Sequence, residues 1–295
     1  MDKKSNQPLS NYSNNVHSQF GEDGIIWEIL NRFESGGVLI DFACVEFGAW
    51  DGRYLSNTCN LIENRNFKAI LIESDKKKSS EILGNFSNFD VQVINTTVGT
   101  SANDSLDSIL SSTNISIDFD FLSIDVDGMD FHILATIEKY RPKIICIEFN
   151  SSIPNEIEYT QVLDPRVNQG SSALSINLLA KSKGYELVAA TFCNLIFVDR
   201  KYANLALCGS EAPSLMSLRN DEEYKNYIFF GYDGQMFTSK PLFTSWHQVV
   251  VSNSRIQGIP RVFRKFESNF GPIRTWLWRR YIGAKNRKDD YPKFI

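Results

Sequence analysis

The sequence predicts a Rossmann-like α/β domain on a doubly wound, mostly parallel sheet, followed by a C-terminal extension. Three observations carry the prediction. Short apolar runs alternate with helical stretches from residue 38 to residue 149, and parallel neighbours require crossover helices of this kind. Two later apolar runs, Tyr185 to Ala190 and Asn194 to Val198, lie only a few residues apart, which suits an antiparallel hairpin at the sheet edge. An acid and two glycines, Glu46, Gly48 and Gly52, fall where the first strand ends, the edge at which such sheets bind ligands.

Taken in order, residues 1–16 are rich in Asn and Ser without periodicity and are expected to form a mobile arm. Ile25, Ile26, Ile29, Leu30 and Phe33 then recur at helical spacing behind the acidic first turn of Glu22 and Asp23. Strands are expected at Val38–Phe47, Lys68–Ile72, Val91–Ile94, Phe121–Val126 and Lys143–Phe149. Helices are expected around Asn57–Asn64, Ser79–Leu83, Ser105–Leu110 and Phe131–Tyr140. After an irregular loop at 151–170, a helix over Ala173–Lys181 stops near Gly184, a C-cap residue, and the hairpin follows. This gives an arm at 1–16, a main domain at 17–202 and an extension at 203–295.

Composition sets outer bounds. Apolar residues make up 42% and charged residues 22% of the 295 positions, as in ordinary folded proteins. A net charge of -4 gives no global electrostatic reason to expect nucleic acid as a partner. The five cysteines are scattered, with no zinc-like or redox spacing, and read as buried thiols of a reducing compartment. The N-terminus lacks the apolar core of a signal peptide and no later stretch has membrane-spanning length, so a cytoplasmic location is expected.

The chemistry is concentrated at strand ends. Glycines at 48 and 52 let the backbone approach a ligand, with Glu46 near its charged portion. Glu73 ends the second strand a little over twenty positions on, where a carboxylate accepts hydrogen bonds from ribose hydroxyls. Adenosine recognition follows. Nicotinamide sites carry G-x-G-x-x-G against a pyrophosphate, whereas here an acid stands in front of the glycines and would repel it. A sulfonium ligand with an ammonium group tolerates that carboxylate.

On these residues the chain resembles the FkbM-type family of S-adenosylmethionine-dependent methyltransferases. The resemblance runs from Ser18 to Val198 and rests on Ser18-Gln19-Phe20-Gly21-Glu22-Asp23-Gly24, the Glu46 to Gly52 turn with Ser56-Asn57-Thr58, Glu73, Asp125-Val126-Asp127-Gly128, Glu148 and Asn194. It implies a class I methyltransferase fold, with a seven-stranded sheet ending in an antiparallel hairpin. It also implies S-adenosylmethionine as cofactor, held by Gln19, Glu46, Gly48, Ala49, Gly52, Ser56, Glu73, Ser74 and Asp125, and a hydroxyl acceptor of a sugar or a polyketide product, of which a sugar, glycan or glycolipid is the expected class here. Asp127 stands where many members carry Glu, and the extension has no counterpart in the pattern.

Asp125, Asp127 and Glu148 close the fourth and fifth strands, which are neighbours in a parallel sheet. Converging carboxylates suit Mg²⁺, and one of them is equally suited to act as the base that takes the acceptor's proton. Asp127 and Glu148 are expected in that role, with or without metal. His132, Asn150 and Asn194 are the candidate acceptor contacts, although His132 reads as well as a packing residue of its helix. From Arg255 onward, Arg255, Arg261, Arg264, Lys265, Arg274, Arg279, Arg280, Lys285, Arg287, Lys288 and Lys293 face only Glu267, Asp289 and Asp290. Ile273, Trp276, Leu277 and Tyr281 recur there at helical spacing, as for a helix packing its aromatics on the protein or lying on an anionic membrane. Two rival functions remain at this point. Asp125-Val126-Asp127 has the D-x-D form of a metal-dependent glycosyltransferase, which leaves Glu46, Gly48, Gly52 and Glu73 without a role, and a binding protein of the same fold would keep the pocket without catalysis.

Overall fold

The computed structural model describes residues 7–244, 247–266 and 269–285. They form two compact units, the first reaching Glu222 and the second beginning at Glu223.

The first unit holds a seven-stranded sheet. Its strands are β1 (Ala43–Phe47), β2 (Lys68–Ile72), β3 (Val91–Ile94), β4 (Phe121–Ile124), β5 (Ile144–Glu148), β6 (Tyr185–Ala190) and β7 (Asn194–Asp199), in the order β3-β2-β1-β4-β5-β7-β6. The first five run parallel, and β7 is antiparallel to both β5 and β6.

Apolar residues on both faces of each strand explain the layering. Val45, Phe47, Leu122 and Ile145 belong to one core, packed with α4 (Leu106–Leu110), α5 (Asp130–Thr136) and α6 (Ala173–Ser182). Cys44, Leu71, Phe121 and Cys146 belong to the other, packed with α1 (Glu22–Ser35), α2 (Cys59–Arg65) and α3 (Lys76–Asn85). The helices after β1 and β2 therefore cover one face and those after β3, β4 and β5 the opposite face. The winding reverses between the adjacent strands β1 and β4, which opens a crevice at their carboxyl ends.

Several element ends differ from the sequence expectation, and three of them have a clear local reason. The first strand starts at Ala43 rather than Val38, because Phe42 takes a left-handed backbone (φ 53°) and Leu39 is 81% exposed. β4 stops at Ile124 because Asp127 and Gly128 turn the chain with φ of 55° and 141°. α5 ends at Thr136 because the Asp107 carboxylate accepts the backbone N–H groups of Glu138, Lys139 and Tyr140 at 2.8, 2.8 and 3.3 Å, drawing them away from the helix ladder.

At the opposite edge, fully buried Asp120 receives Lys143 Nζ at 2.9 Å and the Ala43 N–H at 3.0 Å, while Lys143 Nζ also donates to the Asp118 carbonyl at 2.7 Å. This clamp joins the starts of β1, β4 and β5 and so fixes the register with which their functional ends emerge.

Residues 7–16, expected as part of a mobile arm, instead pack on α1. Leu9 is buried, Arg32 donates to the Gln7 carbonyl at 2.8 Å, and its guanidinium lies over the Tyr12 ring. The rest of that arm, residues 1–6, lies outside the described residues. Residues 203–222, read from sequence as extension, carry α7 (Ala203–Ala206) and α8 (Leu215–Leu218), whose Ala206 and Leu215 enter the two cores.

The second unit contains the hairpins β8–β9 (Ile228–Phe230, Met236–Thr238) and β10–β11 (Leu242–Thr244, Val249–Val251) and helix α9 (Pro272–Lys285). Trp278 and Tyr281 of α9 cluster with Phe263 and Phe270, while Ile273, Trp276 and Leu277 remain exposed. Arg287, Lys288 and Lys293 of the basic run fall outside the described residues. No helix among the described residues is long and apolar enough to cross a membrane.

Candidate active site

The turn after β1 is built by close approach. Gly48 has φ 76°, and a Cβ there would stand 1.7 Å from the Asp125 carbonyl oxygen at the end of β4. Gly48 and Ala49 donate their N–H groups to the Ile72 carbonyl at 3.1 and 3.3 Å, tying the turn to β2. Gly52, also at φ 76°, leaves room for the Phe86 ring.

The two acids of the adenosine reading have different surroundings. Glu46 is buried, with Oε2 accepting from Ser56 and Thr58 hydroxyls at 2.6 Å each and Oε1 accepting the Asn57 N–H at 2.9 Å. It anchors the 56–58 loop, and burial holds its pKa above the ordinary carboxylate value despite those donors. Ser56, expected at the cofactor, spends its hydroxyl on Glu46 and accepts the Cys59 N–H at 3.1 Å at the start of α2. Glu73, at the end of β2, accepts the Trp50 N–H at 2.8 Å and the Asp75 N–H at 2.7 Å. Glu73 is also buried, and its carboxylate sits at the carboxyl end of β2 among the backbone donors of the two adjoining turns. Ser74 is exposed beside it, and half-exposed Trp50 lies under Lys78 Nζ at 4.3 Å.

A second acidic centre closes β4 and β5. Carboxylate oxygens of Asp125, Asp130 and Glu148 all lie within 4.8 Å of one another. Sequence reading put Asp127 in this trio and passed over Asp130. In the structure Asp127 is exposed on a left-handed backbone, and Asp130 takes its place at the start of α5. Asp130 is held there by the N–H groups of Val126 and Gly128, each at 2.9 Å. Burial, and then the neighbouring Asp125 charge, lift Asp130 to about 7. Burial, then Asp125, Asp130 and Asp127, lift Glu148 to about 10, and Asp125 is itself raised by burial and by Asp127. Glu148 therefore keeps its proton at neutral pH, next to Asp125.

Asn194, directly opposite Glu148 in the β5–β7 register, donates Nδ2 to Glu22 Oε1 at 3.0 Å. Glu22 is fully buried and also accepts the Thr191 hydroxyl at 2.5 Å and the Phe20 N–H at 2.8 Å, which brings the start of α1 to the β6–β7 hairpin. The Asn194 Oδ1 is buried and without a hydrogen-bond partner. No salt bridge among the described residues reaches Glu22, Asp125, Asp130 or Glu148. Uncompensated carboxylates and an orphaned acceptor fit a cationic ligand and disfavour a phosphate.

The remaining sequence candidates are placed as follows. Gln19 is exposed just before Phe20, which packs on Phe192 with ring centroids 4.8 Å apart. His132 contacts the Gln161 carbonyl at 2.8 Å, and Asn150 donates to the Gln169 carbonyl at 2.7 Å while accepting from Ser152. Both brace the 151–170 loop, which for His132 agrees with the packing role its helix position suggested. Ala49 is buried in the turn.

The profile of a family described as Methyltransferase FkbM domain matches residues 47–187, the stretch that carries Gly48, Glu73, Asp125, Asp130 and Glu148. This segment is an FkbM-type methyltransferase domain. The FkbM domain places the protein among S-adenosylmethionine-dependent methyltransferases. Solved structures similar to the chain include M. capricolum TrmK in complex with S-adenosyl-homocysteine, at 13% identity and TM-score 0.36, covering 58% of this chain and 67% of that one. A SAM-dependent methyltransferase from Aquifex aeolicus is 10% identical, with TM-score 0.38, covering 64% and 94%. A TehB-like SAM-dependent methyltransferase from Corynebacterium glutamicum is 12% identical, with TM-score 0.37, covering 65% and 92%. The family assignment rests on the segment match and not on these distant likenesses. No curated protein matches the chain. Glu22, Thr191 and Asn194 lie outside the matched FkbM segment yet close its acidic pocket.

Two residues of this acidic cluster, Asp130 and Glu22, were not legible as site candidates in the sequence. Asp130 resembles any helix-start acid, and its signal was the third acid in Asp125-Val126-Asp127-Gly128-Met129-Asp130. Glu22 was taken for a dipole partner of α1, and only its pairing with a residue 172 positions away reveals its place.

Proposed function

We propose that this chain methylates a hydroxyl group on a sugar or glycan-type acceptor. The observation that carries the reading is the Asp125–Asp130–Glu148 trio at the ends of β4, α5 and β5, beside the glycine turn. S-adenosylmethionine, when bound, supplies the electrophilic methyl group. Glu73 accepts ribose hydroxyls at the end of β2, the Gly48 to Gly52 backbone lies against the nucleoside, and Glu22, Asp125 and Asn194 Oδ1 face its positive portion. An alcohol becomes a competent nucleophile when a base removes its proton. Asp125 is assigned as that base on its place at the end of β4, beside the Gly48 turn and within 4.8 Å of Asp130 and Glu148. Positioning the acceptor oxygen in line with the methyl lowers the barrier by up to about 7–11 kcal/mol.

The trio's all-oxygen donor set also fits Mg²⁺, which Asp125 and Glu148 would hold with Asp130 behind them, Glu148 giving up its proton to solvent on binding, and the ion would polarise the acceptor hydroxyl. The D-x-D alternative loses its basis, since Asp130 rather than Asp127 completes the cluster. The test incubates the protein with labelled donor and candidate glycans, with and without chelator, and locates the label by mass spectrometry. Label on an ether oxygen supports the reading, and label only on nitrogen or carbon refutes it. Thermal shift by S-adenosylhomocysteine but not by sugar nucleotides separates it from a glycosyltransferase.

The exposed Ile273, Trp276 and Leu277 of α9, with Arg274, Arg279 and Arg280, support a peripheral contact with anionic membrane, where a glycolipid acceptor would reside. Flotation with phosphatidylglycerol vesicles but not with phosphatidylcholine vesicles is the expected outcome.

A further inference from the structure

Away from the acidic pocket, the N-terminal segment and α2 bring together a histidine, a thiol and a carboxylate. His17 Nε2 lies 3.0 Å from Glu63 Oε2, and ligating atoms of His17, Cys59 and Glu63 all fall within 4.8 Å of one another. Cys59 and Glu63 are four residues apart on α2, which puts them on one face, one turn above the other. Three features make this more than a chance pairing. The His17 backbone is fixed, because Asp23 Oδ2 accepts the N–H groups of Val16, His17 and Ser18 at 2.9, 2.7 and 2.8 Å. Glu63 is oriented by Arg53, which contacts its other oxygen at 2.6 Å. The second oxygen of Asp23, a residue only 2% exposed, is buried without a hydrogen-bond partner, and Asp23 lies within electrostatic reach of the Cys59 thiol.

We propose that His17, Cys59 and Glu63 form a site for a borderline divalent cation of the Zn²⁺ class, which pins the N-terminal segment to α2. Imidazole nitrogen, thiolate sulfur and carboxylate oxygen are the donors such ions take, at about 2.0–2.3 Å from the metal. Drawing the three donor atoms onto one ion requires side-chain shifts of under about an ångström on that scale. Binding releases the Cys59 proton to solvent and replaces the His17–Glu63 hydrogen bond with two metal bonds. A cavity of about 450 Å³ is lined by Val16, Asp23, Asn60 and Asn64, the chain neighbours of His17, Cys59 and Glu63 and the carboxylate that fixes the His17 backbone. Since it holds Asp23 and its neighbour Glu22 in place, the ion acts as a structural clamp beside the proposed active site.

The test uses the full chain, freed of metal by chelator and titrated with Co²⁺, whose bond to a thiolate gives a near-ultraviolet charge-transfer band absent without one. The expected result is a band saturating at one Co²⁺ per chain and removed by competing Zn²⁺. Cys59→Ser abolishes the band. His17→Ala, in a segment with little core contact, weakens Co²⁺ binding by more than the roughly 10–100-fold that loss of an outer-shell partner costs. No band in folded wild-type protein overturns the proposal, and so does a band that persists in Cys59→Ser, since another thiol would then be the ligand. Should Cys59→Ser not fold, an unchanged Co²⁺ affinity in His17→Ala overturns it alone. The readout is independent of methyl transfer, so failure here leaves the proposed reaction standing.

Discussion

Replacing Gly48 with alanine tests whether the β1 turn is shaped by contact with β4, and the structure contains its own control. Gly48 and Gly37 share nearly the same left-handed backbone, φ 76° and 78°. Their surroundings differ completely. Nothing lies within 4 Å of a Cβ built on Gly37, whereas one on Gly48 would sit 1.7 Å from the Asp125 carbonyl oxygen and 2.9 Å from its carbon. The conformational penalty is common to both, about 1–2 kcal/mol for a left-handed alanine, partly offset by about 0.4–1 kcal/mol from the stiffer unfolded chain. Gly37→Ala is therefore expected to lose about 1 kcal/mol or less by these terms. Gly48→Ala must also push two backbone segments apart by more than an ångström. That strain is comparable to core overpacking, about 1–3 kcal/mol more. At roughly 2–4 °C per kcal/mol, the two variants should differ in Tm by several degrees. Because the displaced atoms belong to Asp125, calorimetric affinity for S-adenosylhomocysteine should fall in Gly48→Ala and stay unchanged in Gly37→Ala. Equal Tm losses with unchanged cofactor affinity in both would refute the packing of the turn against β4.

Other expectations follow from the same geometry. Glu148 has its folded pKa raised from 4.5 to about 10, so the folded state holds a proton that the unfolded state loses. Its contribution to stability is full below the unfolded value and declines as pH rises toward 10; Glu148→Gln should flatten the fall in Tm across that window and raise Tm at pH 8. Glu73→Ala should weaken S-adenosylhomocysteine binding by about 1.5–3 kcal/mol for each lost charged hydrogen bond, measured by calorimetry; unchanged affinity would remove Glu73 from the site. Asp120→Asn removes the carboxylate 2.9 Å from Lys143 and leaves Asp41, at 3.3 Å, as its remaining anionic partner, so it should cost about 1–3 kcal/mol in urea unfolding. A loss below 1 kcal/mol would show that the lower clamp is not needed for register.

The sheet was legible because its strands are apolar on both faces and short, so Lys68–Ile72 and Val91–Ile94 could be read to the residue. The first strand was overread because Leu39 and Ile40 continue the apolar run while Phe42 breaks the extended backbone, and hydropathy carries no sign of φ. At the site, positions adjacent to a strand end were found, but the direction of each side chain was not. Asp127 and Asp130 both follow β4, and only the turn through Gly128 decides which carboxylate faces Glu148. The partners of Asn150 and His132 were not legible because a loop of twenty residues, 151–170, folds back onto them. No local pattern announces a contact of that range.

The Glu22–Asn194 hydrogen bond joins residues 172 positions apart. A ribosome adding about 5–20 residues per second needs roughly 10–30 s to make the second partner after the first. During that interval α1 has left the exit tunnel with only the Phe20 N–H as a partner for this carboxylate, because Thr191 and Asn194 do not yet exist. The acidic pocket is thus among the last parts of the domain to assemble during synthesis, and a nascent chain halted before β7 would present the parallel strands without a competent wall for the donor.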